Sequence, residues 1–302
     1  MAWNTWRPTR VLRHERALGT SMNTAVVLTD AGRGYLKALG NAQGEHALAC
    51  ELIGSSLADW LGLPGLDYGL VTIDADDEVC LDDDEQKPLH ARRRASAGPA
   101  FITKALETAR TWSGDPQILA RLKNIDTLTG LVVVDTWIGN PDRHPRRPPD
   151  ASISTWQHRN LDNVMLHRPP GARKDRVLAM DFSVCLHCRA GGLRPSYGDG
   201  LVRDDGIYGL YPEFEPYVTV QRAAPFLDRL RQASELAQHL VEVMARIPSE
   251  WQVDARTRGG VREFLSARAA YLVDNFRSNL QRVLPPAADQ SVSCSPLLPR
   301  RP

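Results

Sequence analysis

Lysine is scarce in this chain of 302 residues: of its 37 basic residues five are lysine and 32 are arginine. Arginine is therefore the default surface cation, and a lysine inside a strand-like run stands out. Lys37, within Tyr35-Leu36-Lys37-Ala38-Leu39, is that residue. Net charge is nearly absent as well. At +1 it argues against a globally basic nucleic-acid binder, so no direct nucleic-acid binding is expected. The five cysteines are odd in number and scattered without framework spacing, which suits a reducing compartment. No apolar run approaches the roughly 20 residues of a membrane span. Residues 1–19 carry charges and Trp where a signal peptide has its apolar core. A cytoplasmic location without membrane association is expected.

With 42% hydrophobic residues, the chain has enough length to bury one large core or two modest ones. The small polar stretch Gly19-Thr20-Ser21-Met22-Asn23-Thr24 leads into the β-type run 25–28, and 29–34 reads as a turn before the strand that carries Lys37. Residues 45–61 read as a helix closed by Gly62 and Pro64. Cys50, Ile53, Leu57 and Leu61 form its buried stripe, with Glu51 at the edge among the small neighbours Ala47, Gly54 and Ala58. Residues 66–73 predict another strand, and the charged stretch 74–98 a solvated excursion. Strand character returns at 99–103, followed by Thr103 to Leu106 as a connection. A long helix is predicted over 116–137, ending at Gly139-Asn140-Pro141, and a short strand over 177–180. Helices are expected over 226–247 and 261–284 with a break at Pro248, and residues 285–302, rich in Pro and Ser, read as a disordered tail.

The most informative residues lie downstream of the long helix. Gly139-Asn140-Pro141-Asp142-Arg143-His144 is followed by Asn163-Val164-Met165-Leu166 and by Met180-Asp181-Phe182-Ser183. Phosphoryl transfer needs one carboxylate to orient the attacking hydroxyl, plus an amide oxygen and a second carboxylate to hold magnesium against the phosphates. Asp142, Asn163 and Asp181 supply those groups in that order. Upstream, Lys37 has the chemistry to meet the α and β phosphates, and Glu51 to hold the ammonium in place. The polar loop at 19–24 can offer backbone N–H groups to phosphate.

This arrangement resembles the protein-kinase-like superfamily, and most closely the HipA-like kinases, whose catalytic loop is similar to that of the phosphoinositide lipid kinases. The resemblance spans roughly 17–250. It includes Gly34-Tyr35-Leu36-Lys37 and the helix from Glu51 through Leu57-Ala58 to Leu61-Gly62-Leu63-Pro64. It implies an α+β, two-lobed protein-kinase-like fold, with a β-rich N-lobe over 1–106 and a mainly helical C-lobe over 107–284. It implies ATP and Mg2+ as cofactors. Lys37, Glu51, Gly19, Ser21 and Asn23 would serve the nucleotide phosphates, and Thr103 and Ala105 the adenine through backbone groups. Asp142 would be catalytic, with Asn140, Arg143 and His144 bracing its loop and His144 reaching toward the γ-phosphate. Asn163 and Asp181 would be the metal ligands.

The chain departs from the family pattern in two places. Kinase catalytic loops separate the catalytic Asp from the metal Asn by about five positions, whereas Asp142 and Asn163 are 21 apart, with 145–159 reading as an inserted surface segment. Asn163 is preferred to Asn160 because Val164-Met165-Leu166 supplies the strand that follows. The second departure is Ser183, where a glycine is common. Cys185-Leu186-His187-Cys188 lacks a second ligand pair and reads as packing in preference to a zinc site. The expected activity is phosphorylation of Ser or Thr on a protein substrate, with an antitoxin-type partner implied by the resemblance. A small-molecule or lipid kinase and a nucleotide-binding pseudokinase are the alternatives.

Overall fold

Short apolar runs in the N-terminal part alternate with residues of the opposite face, and that alternation decides which side of the sheet meets the rest of the chain. The computed structural model describes residues 6–20, 22–82, 92–147, 160–188 and 192–284. Strands β1 (Val11–Ala17), β2 (Ala25–Thr29), β3 (Gly32–Lys37), β4 (Tyr68–Ile73) and β5 (Gly98–Lys104) form an antiparallel sheet in the order β1-β2-β3-β5-β4. Ala25, Val27, Leu36, Ala100 and Ile102 close a core on one face with Trp6 and Val71. Tyr35 and Lys37, one residue either side of Leu36, take the other face and line the interlobe cleft.

Helix α1 (Glu45–Trp60) lies between this sheet and the helical part. Its contacts extend to β5 on one side and to the C-terminal helices on the other. Nearly every residue of the helix from Ala47 onward is buried, Glu51 included. The C-lobe is organised around α3 (Asp126–Ile138), all but the first residue of which is buried, packed against α5 (Val220–Leu230) and α7 (Ala255–Val283), with the single-turn α4 (Asp199–Val202) also against α7. Trp137 donates its indole N–H to the Leu265 carbonyl at 2.9 Å, fixing α3 to α7. A small antiparallel sheet, β6 (Ala109–Thr111), β7 (Met165–His167) and β8 (Arg176–Leu178), sits at the cleft. The α+β, two-lobed expectation is met.

Several boundaries differ from those read in the sequence. The predicted 116–137 helix is two helices: α2 (Pro116–Leu119), capped by Asp115, and α3 beginning at Asp126. The break arises because Lys123 N–H bonds the Asp175 carbonyl and the Asn124 side chain bonds both backbone groups of Val177, at 2.9 and 3.0 Å. The predicted 226–247 helix is likewise α5 from Val220 and then α6 (Ala233–Arg246). Thr219 caps α5 by accepting the Arg222 N–H, which starts the helix ahead of Pro225. Asp254 caps α7 through the Thr257 N–H and starts it earlier than the predicted 261. The 74–98 stretch is not wholly solvated. Val79 and Leu81 are buried in the N-lobe core, and 79–81 bonds to 93–95 through Leu81 N–H to Arg93 and Ala95 N–H to Val79. Strand β1 has no apolar alternation and joins as a bulged edge. The 285–302 segment and most of the 145–159 insertion lie outside the described residues. Among the described residues no helix is long and apolar enough to cross a membrane.

Candidate functional site

Lys37 ends β3 and points its ammonium into the cleft between the lobes. It bonds the Glu51 carboxylate from α1 and Asp181 Oδ1 at 2.9 Å from the segment after β8. The second oxygen of Glu51 accepts the Phe182 N–H at 3.2 Å, so one glutamate ties both the lysine and the backbone beside Asp181. Gly54, one turn along α1, permits this approach: a Cβ there would overlap the Phe182 ring, lying 2.5 Å from Cγ. Asp181 adopts φ of 59°, a left-handed conformation uncommon outside glycine and Asn/Asp. Ser183 Oγ donates to its Oδ1 at 3.3 Å, which gives the serine at the departing position a local role.

The second half of the site descends from α3. Gly139, with φ of 59°, stops that helix, and a Cβ at this position would meet the His187 ring at 2.7 Å from Nε2. Buried Asp135 then accepts the Asn140 side-chain N–H at 2.9 Å and the Arg143 Nε–H at 2.8 Å. Asn140 Oδ1 in turn accepts the Asp142 N–H at 3.2 Å. Fully buried Arg143 also donates to the carbonyls of Asn163 and of Met180, the latter at 2.8 Å, and lies over the Phe182 ring at 5.8 Å. One guanidinium thus joins the Asp142 loop, the Asn163 turn and the Asp181 segment. Buried guanidinium groups held by a carboxylate and carbonyls satisfy their donors in a fixed fork geometry.

Across the 21-residue gap, Asn163 Nδ2 donates to Asp142 Oδ2 at 2.8 Å. The inserted segment therefore leaves and returns without separating the two. Asn163 uses its amide N–H on Asp142, which leaves Oδ1 as an acceptor. Asp181 uses Oδ1 on Lys37 and Ser183, which leaves Oδ2. Among the described residues no group of three His, Cys, Asp or Glu converges as a metal cage. The Asp181 carboxylate and the Asn163 amide oxygen are instead the groups that could hold a hard divalent cation, which keeps waters and takes phosphate oxygens.

The electrostatics follow from burial and from Lys37. Burial disfavours the Lys37 ammonium, but Asp181 and Glu51 more than offset this and hold the lysine above its ordinary value. Burial pushes Glu51 up to about 7, with Lys37 opposing the shift. Burial also disfavours the Asp181 carboxylate, yet Lys37 and the hydrogen bonds around it bring that group down to about 2. Asp142 is raised by burial and by the negative charge of Asp181, with its Asn163 hydrogen bond opposing.

Lys37, Glu51, Asn163 and Asp181 line a cleft of about 620 Å³, within the range typical of small-molecule sites, and Asp142 adjoins it through its bond from Asn163. Leu18, Gly19, Thr20 and Thr24 line it from the β1–β2 turn, which is closed by hydrogen bonds between Thr20 and Thr24. Tyr35, Leu66, Ala109, Met165 and Met180 line it as an apolar slot, with Leu178 in the same cluster.

Of the remaining predicted residues, Thr103 lines the cleft, but its strand pairs with Tyr35 on one side and Tyr68 on the other. The Ala105 N–H is taken by the Arg33 carbonyl at 2.9 Å, because β3–β5 pairing runs past the predicted connection. Ala105 therefore has no N–H to give to a base. Asn23, at φ of 54°, turns its side-chain oxygen to the Ala42 N–H at 3.0 Å. Ser21 lies outside the described residues. Asn140 and His144 are buried beneath the loop, and the His144 ring packs edge-on against Tyr211 at 5.1 Å, which gives it a bracing place away from the cleft wall. Cys185 and Cys188 pack with Cys50 under α1, where Cys185 and Cys50 exchange S–H contacts with each other's carbonyls. Sequence reasoning missed Tyr35 and Met165. The period-two alternation from Lys37 would have found Tyr35, and the step of two from Asn163 would have found Met165.

No protein-family model matches the chain, and no curated protein matches its sequence. Solved structures do match its fold. The Helicobacter pylori proinflammatory kinase CtkA aligns with a TM-score of 0.55 at 11% identity, over 91% of this chain and 98% of that one. The Golgi casein kinase, solved with Mn and ADP bound, aligns with a TM-score of 0.51 at 10% identity, over 90% and 75% of the two chains. Shewanella oneidensis MR-1 HipA, in a complex with HipB and operator DNA, aligns at 13% identity over 91% and 70%, with a TM-score of 0.44. The fold of this chain is protein-kinase-like, as its resemblance to HipA-like kinases implied.

Proposed function

We propose that this chain is an ATP- and Mg2+-dependent kinase of HipA-like type that phosphorylates a Ser or Thr hydroxyl of a protein substrate. The observation that carries the reading is the convergence of Lys37, Glu51 and Asp181 with the hydrogen-bonded Asp142–Asn163 pair at one interlobe cleft. Lys37 binds phosphate oxygens, held in place by Glu51. Asn163 and Asp181 hold the metal, which when bound neutralises phosphate charge. Asp142, with its raised carboxyl pKa, orients and accepts the proton of the attacking hydroxyl. The apolar slot beneath Tyr35 takes the base, and the Gly19–Thr20 turn covers the phosphates. The Asp142–Asn163 contact favours an active enzyme over the pseudokinase alternative, since the inserted segment leaves the pair intact.

Incubation with γ-labelled ATP and Mg2+, with a lysate as acceptor source, tests this reading beside Asp142→Ala and Asp181→Ala. Losing one preorganised electrostatic group costs about 100- to 1000-fold in rate. Both variants should stay folded and lose transfer by that order. Label on Ser or Thr of a protein is expected; equal labelling by wild type and Asp181→Ala would refute the assignment, and label confined to lipid or small-molecule fractions would refute the protein substrate.

A further inference from the structure

A second concavity of about 230 Å³ lies beside the small sheet of the C-lobe, and five cations line it: Arg110, Arg121, Arg168, Arg173 and Lys174. Asp175 sits at its base, 7% exposed, gripped twice. Arg110 donates to both of its oxygens at 3.0 and 2.8 Å, and Arg168 does the same at 3.0 and 3.0 Å. These two guanidinium groups hold the Asp175 carboxyl well below the usual carboxylate range, so it remains ionised and fully committed.

The charge balance is then one-sided. Asp115 is the only other carboxylate on the wall, and it is occupied in capping α2 through the Gln117 N–H at 2.8 Å. Arg121, Arg173 and Lys174 make no side-chain hydrogen bond or ion pair with the described residues. Arg110 keeps its Nε–H and Arg168 its Nη1–H groups after serving Asp175. Five cations facing two committed carboxylates create a local positive potential, although the whole chain is nearly neutral at +1. Several donors on rigidly held guanidinium groups, in a cavity larger than one anion, match a tetrahedral dianion in both charge and geometry. Asp175 takes part by pre-orienting two of the arginines, which lowers the entropy lost when an anion binds.

We propose that this concavity is a binding site for a phosphate dianion, free or carried as a monoester, distinct from the nucleotide cleft. Arg110 lines both cavities, so the second site adjoins the first. The site does not depend on the kinase reading, because none of the cleft's phosphate or metal residues contributes to it.

The test is calorimetric titration of the full chain at constant ionic strength with inorganic phosphate and with a phosphoserine tripeptide. Arg121→Ala/Arg173→Ala/Lys174→Ala removes three exposed, unpaired cations, and thermal melting checks that the variant stays folded. Lys37→Ala serves as the cleft control. Saturable binding to wild type and to Lys37→Ala, weakened tenfold or more in the triple variant, is expected. Stronger binding of the peptide assigns the site to phosphorylated protein, and binding of inorganic phosphate at least as strong assigns it to free phosphate. Non-saturable heats, equal binding by wild type and triple variant, or loss confined to Lys37→Ala would each overturn the proposal. So would tighter binding of a short DNA duplex than of either probe, which would mark a phosphodiester surface.

Discussion

The two carboxylates that share Lys37 are pushed in opposite directions, and the cause is where each one sits. Glu51 is 2% exposed on the inner face of α1, and burial dominates, raising it to about 7; Asp181 is 23% exposed, and Lys37 wins, lowering it to about 2. The signs differ for stability. Asp181 is depressed below the ordinary carboxylate value, so its contribution is present above about 4 and is lost as the pH falls toward 2. Glu51 is raised, so the fold favours its protonated form, and its ionisation costs stability as the pH climbs from about 4.5 to about 7. The proposed phosphoryl transfer would run the other way, because the Lys37–Glu51 pair is complete only when Glu51 is ionised. The pH profile of kcat/KM should therefore show an acid limb near 7. Glu51→Gln should be slower throughout and lack that limb, with stability that no longer falls between the two pH values. A limb that persists unchanged in Glu51→Gln would mean that another group, with Asp142 the first candidate, controls it.

At the scale of elements, α1 matters through a single small residue. Replacing Gly54 by Ala should gain about 1 kcal/mol of helix propensity. The new methyl would sit against the Phe182 ring, which is fully buried and cannot swing away. Overpacking of a filled core costs about 1–3 kcal/mol, so the loss should win and the melting temperature should fall. Relief requires α1 to move, which carries Glu51 away from Lys37; transfer activity should fall further than stability alone explains. A variant as stable and as active as wild type would show that the helix and the Asp181 segment are less tightly joined than their contacts imply. This joint also marks what sequence could and could not reveal. Lys37, Glu51, Asp142, Asn163 and Asp181 were legible because each sits beside a strand or helix with a clear period, and the structure sets four of them in one cleft with Asp142 hydrogen-bonded to Asn163. The α2–α3 break was not legible, since it depends on Asn124 meeting Val177, 53 residues away. That the Ala105 N–H is engaged was not legible for the same reason: strand pairing with Arg33 is a non-local fact. Tyr35 and Met165 lie within reach of the alternation, as apolar positions two residues from Lys37 and from Asn163.

For the molecule as a whole, the question is what holds Asp142 against Asn163 when a long segment runs between them. The answer lies in residues outside that segment. Arg147 exchanges both backbone hydrogen bonds with Ile207, at 2.7 and 3.1 Å, and its side chain pairs with Glu215. The Tyr211 hydroxyl lies within hydrogen-bond distance of the Arg143 and Asn160 carbonyls, at 2.5 and 2.6 Å, clasping the outgoing and returning strands of the chain. Arg143 completes the closure by joining the Asn163 and Met180 carbonyls from a position anchored on Asp135. The Asp142–Asn163 contact is thus anchored by described residues on either side of 148–159. Replacing that segment with Gly/Ser sequence of equal length keeps the closure length constant, and loop entropy should change stability by less than about 1 kcal/mol. Nucleotide affinity, measured with a fluorescent ATP analogue, should stay within about twofold of wild type, equivalent to less than about 0.5 kcal/mol. If phosphate transfer to protein falls while that affinity holds, the segment serves the acceptor. If the affinity itself collapses, then the anchors at Arg143, Arg147 and Tyr211 are insufficient, and the inserted segment is itself part of the proposed nucleotide site.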